Sequence, residues 1–149
     1  MPDLRRPVPA DGPGRTAGRL LLGAVLLLAG TSHLTAAREE FQAQVPSWVP
    51  VDPDVVVLVS GAAEIALGAA LVVAPRRARP WVGALVAAFF VAVFPGNVAQ
   101  YVEQKDGFGL DTDTARLLRL PFQVPLVLWA LWSTGAWRAW RARRERTRG

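Results

Sequence analysis

Four apolar runs divide this chain: Arg19 to Ala37, Val55 to Ala74, Trp81 to Tyr101 and Leu117 to Ala136. A bilayer core of about 30 Å takes roughly 20 apolar residues at a rise of about 1.5 Å each, and all four approach that length. The breaks are chemical. Pro46, Pro50 and Pro53 interrupt the first gap, Pro75 to Pro80 the second, and charged residues with Gly107 and Gly109 the third. Backbone in hydrocarbon must bond to itself, so each run is expected to be a helix. The predicted fold is an all-α membrane protein, a bundle of four transmembrane helices. A hydrophobic content of 52% is high for a water-soluble domain and agrees with this reading.

Orientation follows from the basic residues, because cytoplasmic flanks retain Lys and Arg. One side collects Arg5, Arg6, Arg15 and Arg19, then Arg76, Arg77 and Arg79, then Arg138, Arg141, Arg143, Arg144, Arg146 and Arg148. The other holds only Arg38, Lys105, Arg116 and Arg119 among abundant Asp and Glu. Both termini are therefore expected in the cytoplasm, with the first and third loops outside. Trp81, Trp137 and Trp140 fall at the inner interface, where indole rings prefer to sit. The arginine-dominated basic set, with frequent Ala, Val, Gly and Pro, suggests a GC-rich bacterium and hence a bacterial plasma membrane.

The expected organisation is a disordered tail over 1–18, a membrane domain over 19–137 and a basic tail over 138–149. The first tail is rich in proline and glycine and has too little apolar surface to fold alone. A net charge of +5 would suggest nucleic acid in a soluble protein, but these arginines flank apolar runs, which points to anionic lipid headgroups instead. A competing reading treats Leu20 to Gly30, followed by Thr35, Ala36 and Ala37, as a signal peptide whose cleavage would remove His33. The long leading tail favours retention.

Ionisable groups within hydrocarbon are costly, so each prompts a functional hypothesis. Glu64 falls near the midplane of the second span, where a carboxyl group must be neutral or paired. At about 100° per residue, Gly61, Glu64, Gly68 and Leu71 share a narrow arc, and Gly23, Leu26, Gly30 and His33 repeat it on the first span. Small residues on both arcs permit close helix contact. His33, Asn97 and Gln123 lie toward the outer ends of their spans and are expected to line one polar cleft above Glu64. Arg116 and Arg119 share a face with Gln123 and are expected at its mouth. Two readings of Glu64 stay open: a proton-handling or ligand-binding group, or helix glue worth about 1 kcal/mol.

Several chemistries are excluded. With one histidine and no cysteine, the chain lacks the ligands of an ordinary zinc or haem site, so no metal or intrinsic cofactor is expected. Asp111 and Asp113 lack the spacing of a calcium loop, and no nucleophile elbow or phosphate-cradling loop is present. Thr112, Asp113 or Thr114 is expected to cap the fourth helix.

The ordered elements GTSH at 30–33, VPSWVP at 45–50, SGAAEIALGAAL at 60–71, VFPGN at 93–97 and RLPFQ at 119–123 resemble the DoxX-like membrane proteins. The sequence departs from that pattern at Leu34, where an aromatic residue often follows the histidine, and at Ala99, where a histidine or aromatic is common. The resemblance implies a four-helix bundle with an uncleaved first helix. It also implies a subunit of a quinone-linked redox complex, with quinone as a borrowed cofactor and a redox subunit or second copy as partner. A binding or transport protein for a small amphiphile is the alternative, and a structural subunit without chemistry the third.

Overall fold

Residues 11–147 are described in a computed structural model of the chain. Their regular structure is all helical, with no strand among them: α1 Pro13–Leu34, α2 Arg38–Gln42, α3 Pro53–Val73, α4 Arg79–Val102, α5 Asp113–Arg119, α6 Gln123–Ser133 and α7 Ala136–Arg146. Three helices, α1, α3 and α4, are long and apolar enough to cross a membrane. Large apolar side chains such as Leu28, Val59, Val73 and Leu85 are exposed on their outer faces, as expected where lipid and not water is the solvent.

The fourth run differs from the expected single helix. It follows a helical path through α5, a 3-10 turn over Leu120–Phe122, and α6. Pro121 and Pro125 supply no backbone N–H, so the α-helical ladder loses donors here and the chain tightens locally into the 3-10 turn. The path then ends at Gly135, whose φ of 74° is a left-handed conformation open to glycine without steric cost.

The first tail also needs correction. Residues 1–10 lie outside the described part, as do Arg148 and Gly149, but residues 13–18 belong to α1 and are not disordered. Pro13 occupies the first turn, where its fixed φ suits a helix and its missing N–H costs nothing. Asp11 anchors this entry through an ion pair to Arg79 at 2.7 Å. The basic tail forms α7, which packs against α4 and α6. Arg143 lies 4.6 Å above the Trp81 ring, a cation–π contact that fixes its seat on α4.

The two glycine-bearing arcs meet as expected. In the antiparallel α1–α3 pair, a Cβ on Gly30 would fall 2.6 Å from the Gly61 carbonyl oxygen, and one on Gly68 2.8 Å from that of Gly23. Only glycine permits this approach at both crossings. Arg19, buried at the arginine-rich end, donates to the Leu71 carbonyl and, at 3.2 Å, to that of Val72. It thereby satisfies orphan carbonyls of the last α3 turn. The apolar core of Leu22, Leu26, Leu71, Val86, Ala87, Phe90 and Ala130 joins this pair to α4 and α6.

Candidate functional site

At the opposite end, where the acidic loops lie, the helices enclose a cavity of about 480 Å³. His33, Glu64, Asn97, Arg119 and Gln123 all line it. The elements explain why. His33 ends α1 on the face that carries Gly30, while Glu64 stands one turn after Gly61 on α3, so the close seam brings them together. His33 Nδ1 lies 2.8 Å from the Ala29 carbonyl oxygen and 3.2 Å from Glu64 Oε2. A carbonyl only accepts, so Nδ1 carries the proton and donates it to Ala29, which leaves Nε2 as an acceptor when the ring is neutral. Glu64 Oε2 is buried without a hydrogen-bond partner.

The other wall comes from α4, α5 and α6. Arg119 Nε donates to Asn97 Oδ1 at 3.4 Å, Asn97 Nδ2 donates to Gln123 Oε1 at 3.3 Å, and Gln123 Nε2 donates to the Phe90 carbonyl. Asn97 is buried, so this chain satisfies amide groups that would otherwise be stranded. The Gly96 beside it has a second use. A Cβ there would collide with the Gln44 carbonyl oxygen, so glycine admits the first loop against α4 and lets it roof the cavity.

Aromatic rings complete that roof, and here sequence reasoning fell short. Phe41 from α2 stacks on His33 with centroids 3.3 Å apart, Phe108 meets Phe41 edge-on at 4.5 Å, and Arg119 lies 5.8 Å from the Phe108 ring centroid. Neither phenylalanine sits in an apolar run, and no spacing links residue 41 to 108. Trp48, within the VPSWVP element, also lines the cavity.

Arg116 departs from expectation. It is buried among loop groups, pairing with Asp106, with Asp113 at 2.8 Å, and donating to the Lys105 carbonyl at 3.2 Å. Only Arg119 of the two reaches the cavity. The Thr112 cap is as expected, its hydroxyl accepting from Ala115 N at 3.2 Å. Arg38 and Asp54 form a paired-contact ion bridge, and Glu103 accepts from Ser47 N and Oγ while pairing with Lys105 at 2.7 Å. These contacts fasten the loop over the site.

The arrangement is a membrane-protein cavity with two polar walls: an imidazole beside a buried carboxyl group on one, an amide pair and a guanidinium on the other. No curated protein and no solved structure matches the chain. Residues 22–134, which include every cavity residue discussed here, match the family model described as a domain of unknown function, DUF8561, and the chain belongs to that family.

Proposed function

We propose that this is a DoxX-like four-helix protein of a bacterial plasma membrane, with both termini cytoplasmic and a cavity that receives a quinone head from the outer side. The observation that carries the reading is the pair of polar walls in one cavity. A quinone presents two oxygens across a planar ring, and each wall offers one of them hydrogen-bonding groups. Phe41, stacked on His33, and Phe108, edge-on to Phe41, give the ring apolar surfaces. Arginines gathered at the opposite end support the orientation. The continuous helical path over 113–133 supports a fourth crossing, and the α1–α3 seam supports a retained first helix.

Oxidation of a bound quinol releases two electrons and two protons. With quinone bound, the electrons would pass to the redox centre of a partner subunit, Glu64 and His33, which both line the cavity, would take up the protons, and Asn97 and Gln123 would orient the oxygen on their side.

Glu64→Gln separates this role from helix glue, because it keeps shape and hydrogen bonding but removes proton exchange. The purified full chain is expected to carry a co-purifying quinone and to bind added short-chain ubiquinone or menaquinone, read by tryptophan fluorescence. Glu64→Gln should fold normally, still bind quinone and slow the oxidation of bound quinol by added ferricyanide, with proton release slowed in step. An unchanged oxidation rate in Glu64→Gln, with Glu64→Ala merely lowering the folded yield, would reduce Glu64 to glue. Absence of both co-purifying and added quinone, with uptake of another amphiphile into proteoliposomes, would assign the cavity to binding or transport.

A further inference from the structure

We propose that the arginine-rich end binds one anionic diacyl phospholipid, its phosphate held between Arg15 and Arg138 and an acyl chain laid along α6. This site is independent of the quinone reading and lies at the other end of the helices. Arg15 on α1 and Arg138 on α7 line a cavity of about 240 Å³ with Leu128, Trp132, Gly135 and Trp137. Arg15 Nη1 is buried there without a hydrogen-bond partner. The point where a Gly135 Cβ would stand lies 3.5 Å from Arg138 Nη2 and 3.8 Å from Arg15 Nη1. Two guanidiniums therefore converge on one place that glycine leaves open.

Like charges drawn together need an anion. Among the described residues Asp11 pairs with Arg138, but its Oδ1 stands 3.8 Å away, too far for a hydrogen bond, while its Oδ2 engages Arg79 at 2.7 Å; it offsets part of the charge and leaves Arg15 Nη1 without an acceptor. A phosphate supplies charge-assisted acceptors that match guanidinium geometry. The surroundings select a lipid over a free ion. A second groove, of about 420 Å³, lies along Pro125, Leu128, Trp129 and Trp132 and shares Leu128 and Trp132 with the first. These positions follow i, i+3, i+4 and i+7, so they form one stripe about 10 Å long down the helix. Leu128 and Trp132 are exposed. An inorganic anion has no use for an apolar strip running away from its charge site, whereas a diacyl lipid matches both parts.

The test is native mass spectrometry of the purified full chain in mild detergent, titrated with phosphatidylglycerol, phosphatidylcholine or inorganic phosphate. One phosphatidylglycerol should be retained in preference to phosphatidylcholine. Arg15→Gln with Arg138→Gln should weaken its retention about tenfold, and Arg141→Gln with Arg144→Gln, the same change of charge elsewhere on α7, should leave it nearly unaltered. Leu128→Trp keeps both arginines but blocks the strip, so it should also weaken retention and tests the groove even if the double arginine variant does not fold. Equal retention of the two lipids, or equal loss in both arginine pairs, would reduce the effect to general electrostatics and overturn the proposal. Displacement of the lipid by millimolar inorganic phosphate would assign the pair to a free anion and overturn the lipid reading.

Discussion

The two faces of α3 solve opposite problems. Toward α1 the backbones touch at Gly30 with Gly61 and at Gly23 with Gly68, and no space is left between them. Toward α4 contact is sparse, and near the loop end the gap widens into the cavity above Glu64. The difference lies in side-chain size at the facing positions. Glycine lets two helices close into a seam, whereas Phe90, Asn97 and Gln123, which join α4 to α6, present larger side chains that line the space on the other side. One helix thus serves as rigid mount on one side and as cavity wall on the other.

Breaking the closed face should have the largest effect. In Gly30→Val the first added carbon meets the Gly61 carbonyl at 2.6 Å and the Ile65 amide at 3.0 Å, both backbone groups that cannot rotate away. We expect a loss of about 3 kcal/mol, the upper end for overpacking, seen as reduced folded yield and a lower unfolding midpoint in detergent. Gly14, also in α1 but with nothing near its missing side chain, provides the contrast. Gly14→Ala should be neutral or stabilise by up to about 1 kcal/mol. If both substitutions behave alike, the seam is not what holds α1 to α3.

Arg19→Met comes next. It preserves much of the buried volume but strips the last α3 turn of its donor to Leu71 and Val72. A loss of about 2 kcal/mol is expected, in the range for hydrogen bonds from charged groups. Amide exchange should quicken at Val73 and Ala74 before it does at Gly61. Uniform exchange along α3 would mean that Arg19 does not secure that end.

Much of the closed face was legible in the sequence, and less of the open one. Glycines seven apart on two apolar runs announce a seam, because helical periodicity alone puts Gly23 with Gly30 and Gly61 with Gly68 on single faces. The same periodicity brought His33 to Glu64. Asn97, Gln123 and Arg119 were legible as polar exceptions in apolar runs, which is a signal of cost. Phe41 and Phe108 carry no such signal, since phenylalanine in a loop is ordinary until the chain folds it over a histidine. The break at Leu120–Phe122 was written in Pro121 and Pro125, but a hydropathy count does not register lost N–H donors. Arg116 was misplaced for a related reason: Asp106 and Asp113 claim it through a loop geometry that helical spacing does not encode.

On the open face, Asn97→Ala should cost about 1 kcal/mol, less than either change to the seam, because the hydrogen bonds it removes are long and a cavity neighbours the site. Its sharper effect should be on the cavity, where Gln123 and Arg119 both lose their partner. Under the proposed quinone reading, affinity for added quinone should fall further than stability does. A melting-point loss as large as that of Gly30→Val would instead make the Arg119–Asn97–Gln123 chain part of the structural frame.

The smallest effect concerns the clip that holds the first loop over the open face. Glu103 sits just past α4, where Lys105 and the Ser47 hydroxyl and N–H hold its carboxyl down to about 2, below the usual 4.5. A carboxylate depressed on folding contributes stability above its unfolded value, and that contribution is lost as pH falls toward and through the folded one. The clip should therefore be fully engaged at neutral pH, weaken in thermodynamic terms below about 4.5 and release near 2. Because this is a loop contact at the surface, screened by nearby solvent, global unfolding should barely register the change. The local readout is the Ser47 amide, whose proton chemical shift should titrate with a midpoint near 2 in the native chain and lose that transition in Glu103→Gln. A midpoint near the ordinary 4.5 would mean that the loop is not fastened through Glu103, and that the roof of the cavity rests on its other contacts, among them the Phe41 stack, the Arg38–Asp54 bridge and the Lys105 bond to the Val45 carbonyl.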